Sequence, residues 1–405
     1  MTVPEPIEWD EEVEGRYERL ELMPWWDSAR VRASKFLVVG AGAIGNEVLK
    51  NLALLGAGTI YIVDNDDVER TNLARSVLFR ESDEGENKAV AAAQALRALN
   101  PDVQVIPLPK SLQEVVGVGL VRICNAVIGC VDNVPARLHL DKLAWLAGVD
   151  HLDGAISALG FQIQPFDHSL PQSHRYADLL PEGVVAGGVS CRDIQIRAHQ
   201  GGHIATTPLS ASLCGAFLVQ EALKRLHQNG EGRPRPLRGH ALVGQGFSND
   251  YVLERFPPAS KEAQPPSRTL VLDSDWGSTS LGEMVDLVQD SLGSKYAILD
   301  IGVETKIEAT CPACQTVHPI LSPDWFLGDL AGVCCDQEGF DPSWGLAVAE
   351  GGHIHKGLPA LDLSPKAWSL PPMHEYLGMA PDCDEVLILS FKEDRTAFEK
   401  RFGGP

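Results

Sequence analysis

Short apolar runs alternate with amphipathic stretches through the first third of the chain. "KFLVVG" (35–40) is brief, apolar and closed by glycine, which predicts a buried strand. "AIGNEVLKNLALLG" follows, with Ile44, Val48, Leu52 and Leu55 recurring on one face of a predicted helix. "GTIYIVD" predicts the second strand. The alanine-rich "NKAVAAAQALRALN" predicts a helix that stops before Pro101. "DVQVIPL" and "NAVIGCVD" read as further strands, "NVPARLHLDKLAWLAG" as a helix, and "VDHLDG" as a return to the sheet. Strand and helix alternating over residues 35–152 imply an α/β fold built on a doubly wound, mainly parallel sheet.

The pattern changes beyond this point. Residues 168–206 are rich in Gly, His and polar residues with weak periodicity, and read as a long crossing segment rather than part of the sheet. Residues 208–228 predict a long amphipathic helix. "RFPPASKEAQPPSR" (255–268) is proline-rich and marks the expected boundary, with a first domain over 1–258, a linker over 259–267 and a smaller C-terminal α/β domain over 268–405. In that domain "TLVLDSD", "YAILDIGVETKIEA" and "DEVLILSFKED" predict strands, and "SLGEMVDLVQDSLG" predicts a helix. No internal repeat is visible.

Composition narrows the function classes. The chain of 405 residues is 44% hydrophobic and 22% charged, as expected of a globular protein with a substantial core. No apolar run approaches a membrane span, and the acidic N-terminus lacks the apolar core of a signal peptide, so a cytoplasmic protein is expected. A net charge of −21 argues against a nucleic-acid partner held through a broad basic face. It serves solubility or an acidic surface for a basic protein. Nine cysteines, an odd count, do not suggest a disulfide framework. Metal ligation, nucleophilic chemistry and plain burial remain.

"GAGAIG" sets Gly40, Gly42 and Gly45 in G-x-G-x-x-G spacing between strand and helix, where backbone N–H groups approach a phosphate. Asp64 ends the second strand 19 residues after Gly45, suited to ribose hydroxyls. A nicotinamide site needs no more than this acid. Yet "IVDNDDVERTNLARS" adds Asp66, Asn72 and Arg75. A site that cleaves ATP must neutralise a triphosphate and hold magnesium. Arg75, Lys88 and Arg19 offer positive charge, and Asp132, just past a strand, offers a metal ligand at the ligand-binding edge of the sheet. Taken singly, these residues are more readily turn caps and solvated surface charges.

Together they resemble the E1-like adenylating enzymes, the family of ubiquitin-activating enzymes and of the bacterial sulfur-carrier adenylyltransferases. "RYERL" (16–20) resembles the family's R-Y-x-R-Q opening, "GAGAIG" its phosphate loop, and "DNDDVERTNLARSVLF" its D-x-D-x-V-x-x-S-N-L-N-R-Q-x-L-F motif. "NKAVAA" supplies the family lysine, and "GCVDNVPAR" resembles D-N-x-x-x-R, with Asp132 and Arg137. The match runs in order over about residues 16–228; Leu20 and Ser76 stand where the family has Gln. The resemblance implies ATP and Mg2+ as cofactors, with Asp64 at ribose, Asn72, Arg75, Lys88 and Arg19 at phosphates, and Asp132 at magnesium. Arg19 would serve a neighbouring subunit's site, so the resemblance implies dimerisation: a homodimer is expected, and a fused or heterodimeric arrangement would also satisfy it. Attack of a C-terminal carboxylate on the α-phosphate would give an acyl-adenylate and pyrophosphate, chemistry that depends on positioning and charge stabilisation.

The family divides over the next step, and the cysteines bear on it. Cys191, in the crossing segment where the family places its thioester cysteine, has Arg192 adjacent and Arg197, His199 and His203 close in sequence. Nearby positive charge favours a thiolate. Cys214 competes but falls within an apolar helix, and Cys124 and Cys130 read as core. Near the C-terminus, "TCPACQ" and "GVCCD" place Cys311, Cys314, Cys334 and Cys335 as a candidate structural Zn2+ ribbon, with His318 an alternative fourth ligand and a redox C-x-x-C the competing reading. The leading expectation is an activating enzyme for a ubiquitin-like protein ending in glycine, forming a thioester at Cys191 for an E2-like conjugating partner. The alternative is a sulfur-carrier adenylyltransferase with no internal thioester. A non-catalytic module pairing with an active subunit is a third reading, disfavoured by the near-complete phosphate set.

Overall fold

The computed structural model describes residues 15–170, 173–180, 206–229, 232–259, 268–302, 305–311, 314–323 and shorter stretches between 333 and 392. Strands β1 (Lys35–Val39), β2 (Thr59–Val63), β3 (Gln104–Leu108), β4 (Ala126–Gly129) and β5 (His151–Ile156) run parallel, in the spatial order β3-β2-β1-β4-β5. Three antiparallel strands, β6 (Gly160–Phe166), β7 (His240–Gln245) and β8 (Asp250–Arg255), extend it to eight. The order reverses at β1, which has β2 on one side and β4 on the other. That switch point opens a crevice at the C-terminal ends of the strands.

Both faces of the sheet are covered, and the period-2 alternation of each strand decides which side chain goes where. Two short helices, α1 (Glu18–Glu21) and α2 (Ser28–Arg32), precede the sheet, and Phe36, Val38, Ile60 and Ile62 pack under α3 (Ala43–Leu54), α4 (Lys88–Leu99) and a long helix, Pro208–His227. Leu37, Val39, Tyr61 and Val63 face the opposite layer, formed by the segments Leu112–Val115, Val118–Arg122 and Val134–Ala147. The expected helix face is observed: Ile44, Val48 and Leu52 are buried and Leu55 packs against them. No helix among the described residues is long and apolar enough to cross a membrane.

The C-terminal residues form a second, smaller sheet. Its strands lie in the spatial order His353–Ile354, Ile298–Asp300, Tyr376–Ala380, Cys383–Phe391, Arg268–Leu272. The amphipathic helix Leu281–Leu292 buries Leu281, Met284, Val285 and Val288 against it. This unit docks on the helical layer of the large sheet. The N–H of Gly119 donates to the carbonyl of Met373 at 2.8 Å. A side chain at Gly117 would meet the Cα of His374 at 2.5 Å, so only glycine allows this approach. Arg122 pairs with Glu375, and Lys142 with Asp300 at 3.2 Å.

Candidate nucleotide site

The segments that follow β1, β2 and β4 carry the predicted nucleotide residues apart from Arg19. Gly40 follows β1 with φ +92°, and a Cβ there would lie 2.6 Å from the carbonyl oxygen of Cys130. A Cβ at Gly45 would lie 1.9 Å from the Gly40 carbonyl. The loop is therefore folded too tightly for any side chain at either position. Gly42, the N-cap of α3, is uncrowded: among the described residues nothing comes within 4 Å of a Cβ placed there. With no side chain to cap the helix, its first N–H groups suit an anionic phosphate.

Asp64 holds this loop in place. Its Oδ2 accepts the N–H of Ala41 at 2.6 Å and its Oδ1 accepts that of Asp66 at 2.9 Å. Burial pushes its carboxyl up, against the pull of those two N–H groups and of Lys88. A carboxylate has about four lone-pair positions, so two remain for ribose hydroxyls. Lys88 opens α4. Its N–H donates to the Asp66 carbonyl, and its Nζ pairs with Asp66 Oδ2 at 2.8 Å. Asp132 lies exposed in the turn after β4. Gly40, Asp64, Asp66, Lys88 and Asp132 thus gather at the switch point, where glycine backbone, a cation and carboxylates match the needs of a triphosphate and a divalent ion.

Asn72 and Arg75 lie in and just after a short 3-10 turn, Arg70–Asn72. Asn72 is buried and its Oδ1 accepts the N–H of Glu69 at 3.0 Å, so it also shapes the turn. Arg75 donates to the Thr71 carbonyl at 3.2 Å. Arg19 is elsewhere. Its neighbour Tyr17 lies against Gly56, past the far end of α3, and bonds Asn100 and Asp102. A helix of 12 residues, about 18 Å, separates that end from the phosphate loop.

Two residues missed in the sequence tie these turns together. Asn46, fully buried in α3, donates to the carbonyls of Ala41 and Gly42 and accepts the N–H of Leu78 at 2.8 Å. Asn87 caps α4 and donates to the carbonyls of Asp64 and Asp66, each at 3.1 Å. A polar residue inside an apolar helix, and an Asn directly before an alanine-rich helix, were the available signals.

Cys191 and Cys335 lie outside the described residues, and Cys334 is described only as backbone of a short strand, Val333–Cys334. Cys311 is buried and Cys314 exposed, in the hairpin turn before Val317. Burial removes Cys124, Cys130 and Cys214 as nucleophiles: it pushes all three thiols up, Cys124 to about 12. A separate buried cluster joins Asp141, His151 and His168. Asp141 Oδ1 faces His168 Nε2 at 2.8 Å and His151 Nδ1 at 3.4 Å, and its Oδ2 accepts from Arg175 Nε at 3.1 Å. Burial alone would push this carboxyl up, but the two histidines outweigh it and hold it well below the usual range. The protein's own donors already satisfy this carboxylate.

Comparison with known proteins bears on the family of the chain and on its fold. The ThiF family profile matches residues 17–266. A sulfur carrier protein adenylyltransferase of Thermus thermophilus is 32% identical over 246 residues, covering 58% of this chain and 85% of that protein. A SAMP-activating enzyme E1 of Haloferax volcanii is 32% identical over 205 residues, covering 50% of this chain and 70% of that one. A mouse adenylyltransferase and sulfurtransferase, MOCS3, is 42% identical over 136 residues, but these are 33% of this chain and 30% of the mouse protein. Among solved structures, E. coli MccB in complex with MccA-N7isoASN has a TM-score of 0.50 at 19% identity, over 62% of this chain and 74% of that one, a likeness of fold alone.

Proposed function

The chain belongs to the ThiF family, and from that premise we propose that it is an ATP-dependent adenylyltransferase that activates the C-terminal glycine of a ubiquitin-like protein. The observation that carries this reading is the meeting of the glycine loop, Asp64, Asp66, Lys88 and Asp132 at one switch point. The helix N-terminus and Lys88 bind phosphates. Asp64 orients the ribose. Asp132, with Asp66 beside Lys88, would hold Mg2+, whose charge offsets that of the phosphates. With the triphosphate so oriented, an oxygen of the carrier's terminal carboxylate attacks the α-phosphorus, the α–β bridging bond breaks, and pyrophosphate leaves. The residues named above fix geometry and charge, and none of them acts as a base.

The substrate reading has support from β8, the outer strand of the sheet. The turn between β7 and β8 lies at the same edge as the nucleotide loops, since Gln245 pairs with Gly160 at the start of β6. Phe247, Tyr251 and Leu253 are 86%, 56% and 58% exposed there, an apolar edge suited to a protein partner. The position of Tyr17 and Arg19 at the far end of α3 supports a homodimer in which Arg19 reaches the other subunit's site.

In the fuller reading, the Cys191 thiolate attacks the acyl carbon of the adenylate, AMP leaves, and the thioester passes to an E2-like partner. The burial of Cys124, Cys130 and Cys214 favours Cys191 for this step. The likeness to the Thermus protein favours a second reading, in which a sulfur carrier is adenylated and no enzyme thioester forms. Incubation with ATP, Mg2+ and ubiquitin-like proteins ending in Gly-Gly, followed by non-reducing electrophoresis, separates the two. A thiol-sensitive adduct that Cys191→Ser abolishes supports the thioester; adenylate without any adduct supports the sulfur-carrier reading.

A further inference from the structure

Strands β4 and β5 part at the edge of the crevice. Their last paired residues are Gly129 and Asp153, and beyond them β4 runs into Val131 and Asp132 while β5 continues to Gly154. Arg137, from the helix Val134–Ala147, bridges the gap. Its Nη2 donates to the carbonyls of both Val131, at 2.7 Å, and Gly154, at 3.1 Å. Its Nη1 donates to Asp153 Oδ2 at 2.6 Å. One guanidinium therefore stands in for the missing rung of the ladder, and a planar fork of donors suits that task where an ammonium does not.

The turn that carries Asp132 is fixed on both sides. The preceding carbonyl, of Val131, is held by Arg137. The following residue, Asn133, caps the helix by accepting the N–H of Ala136 at 2.9 Å. Asp132 is exposed between them, whereas the Arg137 and Asp153 side chains are 11% and 1% exposed. Asp153 is an expensive residue to bury. Its Oδ1 has no hydrogen-bond partner among the described residues, and it shares with His151 Nε2 the space over Gly129, 3.1 and 2.9 Å from a Cβ placed there. A charged group retained on those terms needs a reason, and the alignment of Arg137 supplies one.

We propose that Arg137 and Asp153 are positioning residues, a buried clamp that sets where Asp132 presents its carboxylate and so sets the divalent-cation affinity of the nucleotide site. Neither residue touches the cation. The proposal rests on the assignment of Asp132 as the cation ligand, and the test keeps the two apart. Mn2+ serves as the probe, titrated into the full-length protein with α,β-methylene-ATP and followed by the electron paramagnetic resonance of free Mn2+. Nucleotide binding without metal is measured alongside, and thermal melting checks each fold.

The wild type takes up Mn2+ and Asp132→Asn does not. Arg137→Met weakens Mn2+ binding about tenfold or more, because a small misplacement of a ligand is felt strongly. It leaves metal-free nucleotide binding unchanged, which general destabilisation would not. Arg137→Lys keeps the charge but not the fork, and fails to restore affinity. Asp153→Asn keeps an acceptor for Arg137 and gives an intermediate loss. Should Arg137→Met fail to fold, Arg137→Lys and Asp153→Asn decide. A folded Arg137 variant with wild-type Mn2+ affinity overturns the clamp. Equal Mn2+ binding by wild type and Asp132→Asn overturns the assignment of Asp132 instead, and the clamp with it.

Discussion

Lys88 is held by Asp66 at 2.8 Å, but the Asp66 side chain is 62% exposed and a pair of that kind contributes little to stability. Lys88→Met is therefore expected to weaken ATP binding about tenfold or more, as loss of a charge-assisted phosphate contact should, with a melting temperature close to wild type. Calorimetric titration with Mg·ATP alongside thermal melting checks this. Asn46 is the opposite case. It is fully buried and makes three hydrogen bonds, so Asn46→Leu leaves the Ala41 carbonyl and the Leu78 N–H without partners. A loss of about 2 kcal/mol or more is expected in denaturant unfolding, with weaker nucleotide binding besides. Gly40, Gly45 and Asp64 were legible in the sequence because their spacing is fixed by local geometry. Asn46 was not, since its partners are a loop on one side and Leu78, 32 positions away, on the other.

At the scale of elements, the parallel half of the sheet was readable because buried strands give short apolar runs bounded by glycine and polar turns. The strands β7 and β8 were not. Every residue of β8 is exposed, so no alternation marks it, and β7 is interrupted by Gly244, whose Cα lies against the ring of Phe161. The exposed apolar edge that results is the proposed contact for the carrier. Phe247→Asp with Tyr251→Asp should raise the KM for a ubiquitin-like carrier at least about tenfold, since aromatic anchors dominate such interfaces. Mg·ATP affinity should not change. Steady-state kinetics with varied carrier, paired with nucleotide titration, reads both effects, and an unchanged KM removes this edge from the interface.

At the scale of the whole molecule, the docking of the smaller sheet on the large one had no signature in the sequence, because its contacts join distant residues. Arg122 and Glu375 are 253 positions apart. His374 sits in that contact, buried, with its Nε2 2.7 Å from the Ile301 carbonyl. Burial pushes it from 6.5 down to about 4, with Lys142 adding to the effect and the Ile301 carbonyl and Asp300 opposing it. The unfolded chain takes up a proton at this residue near pH 6.5, and the folded chain only near about 4. The unfolded state therefore binds more protons in between, and stability must fall as the pH drops through that window. The contribution of His374 is about 3 kcal/mol. Unfolding at a series of pH values should show this loss above pH 4 and its reduction in His374→Gln.

The most direct test of the central claim is carrier-dependent exchange of labelled pyrophosphate into ATP, compared between the wild type and Asp132→Ala. Exchange by the wild type with a ubiquitin-like protein ending in Gly-Gly, and its loss in Asp132→Ala, is the predicted result. A wild-type protein that exchanges with no such carrier, or undiminished exchange by Asp132→Ala, contradicts the account.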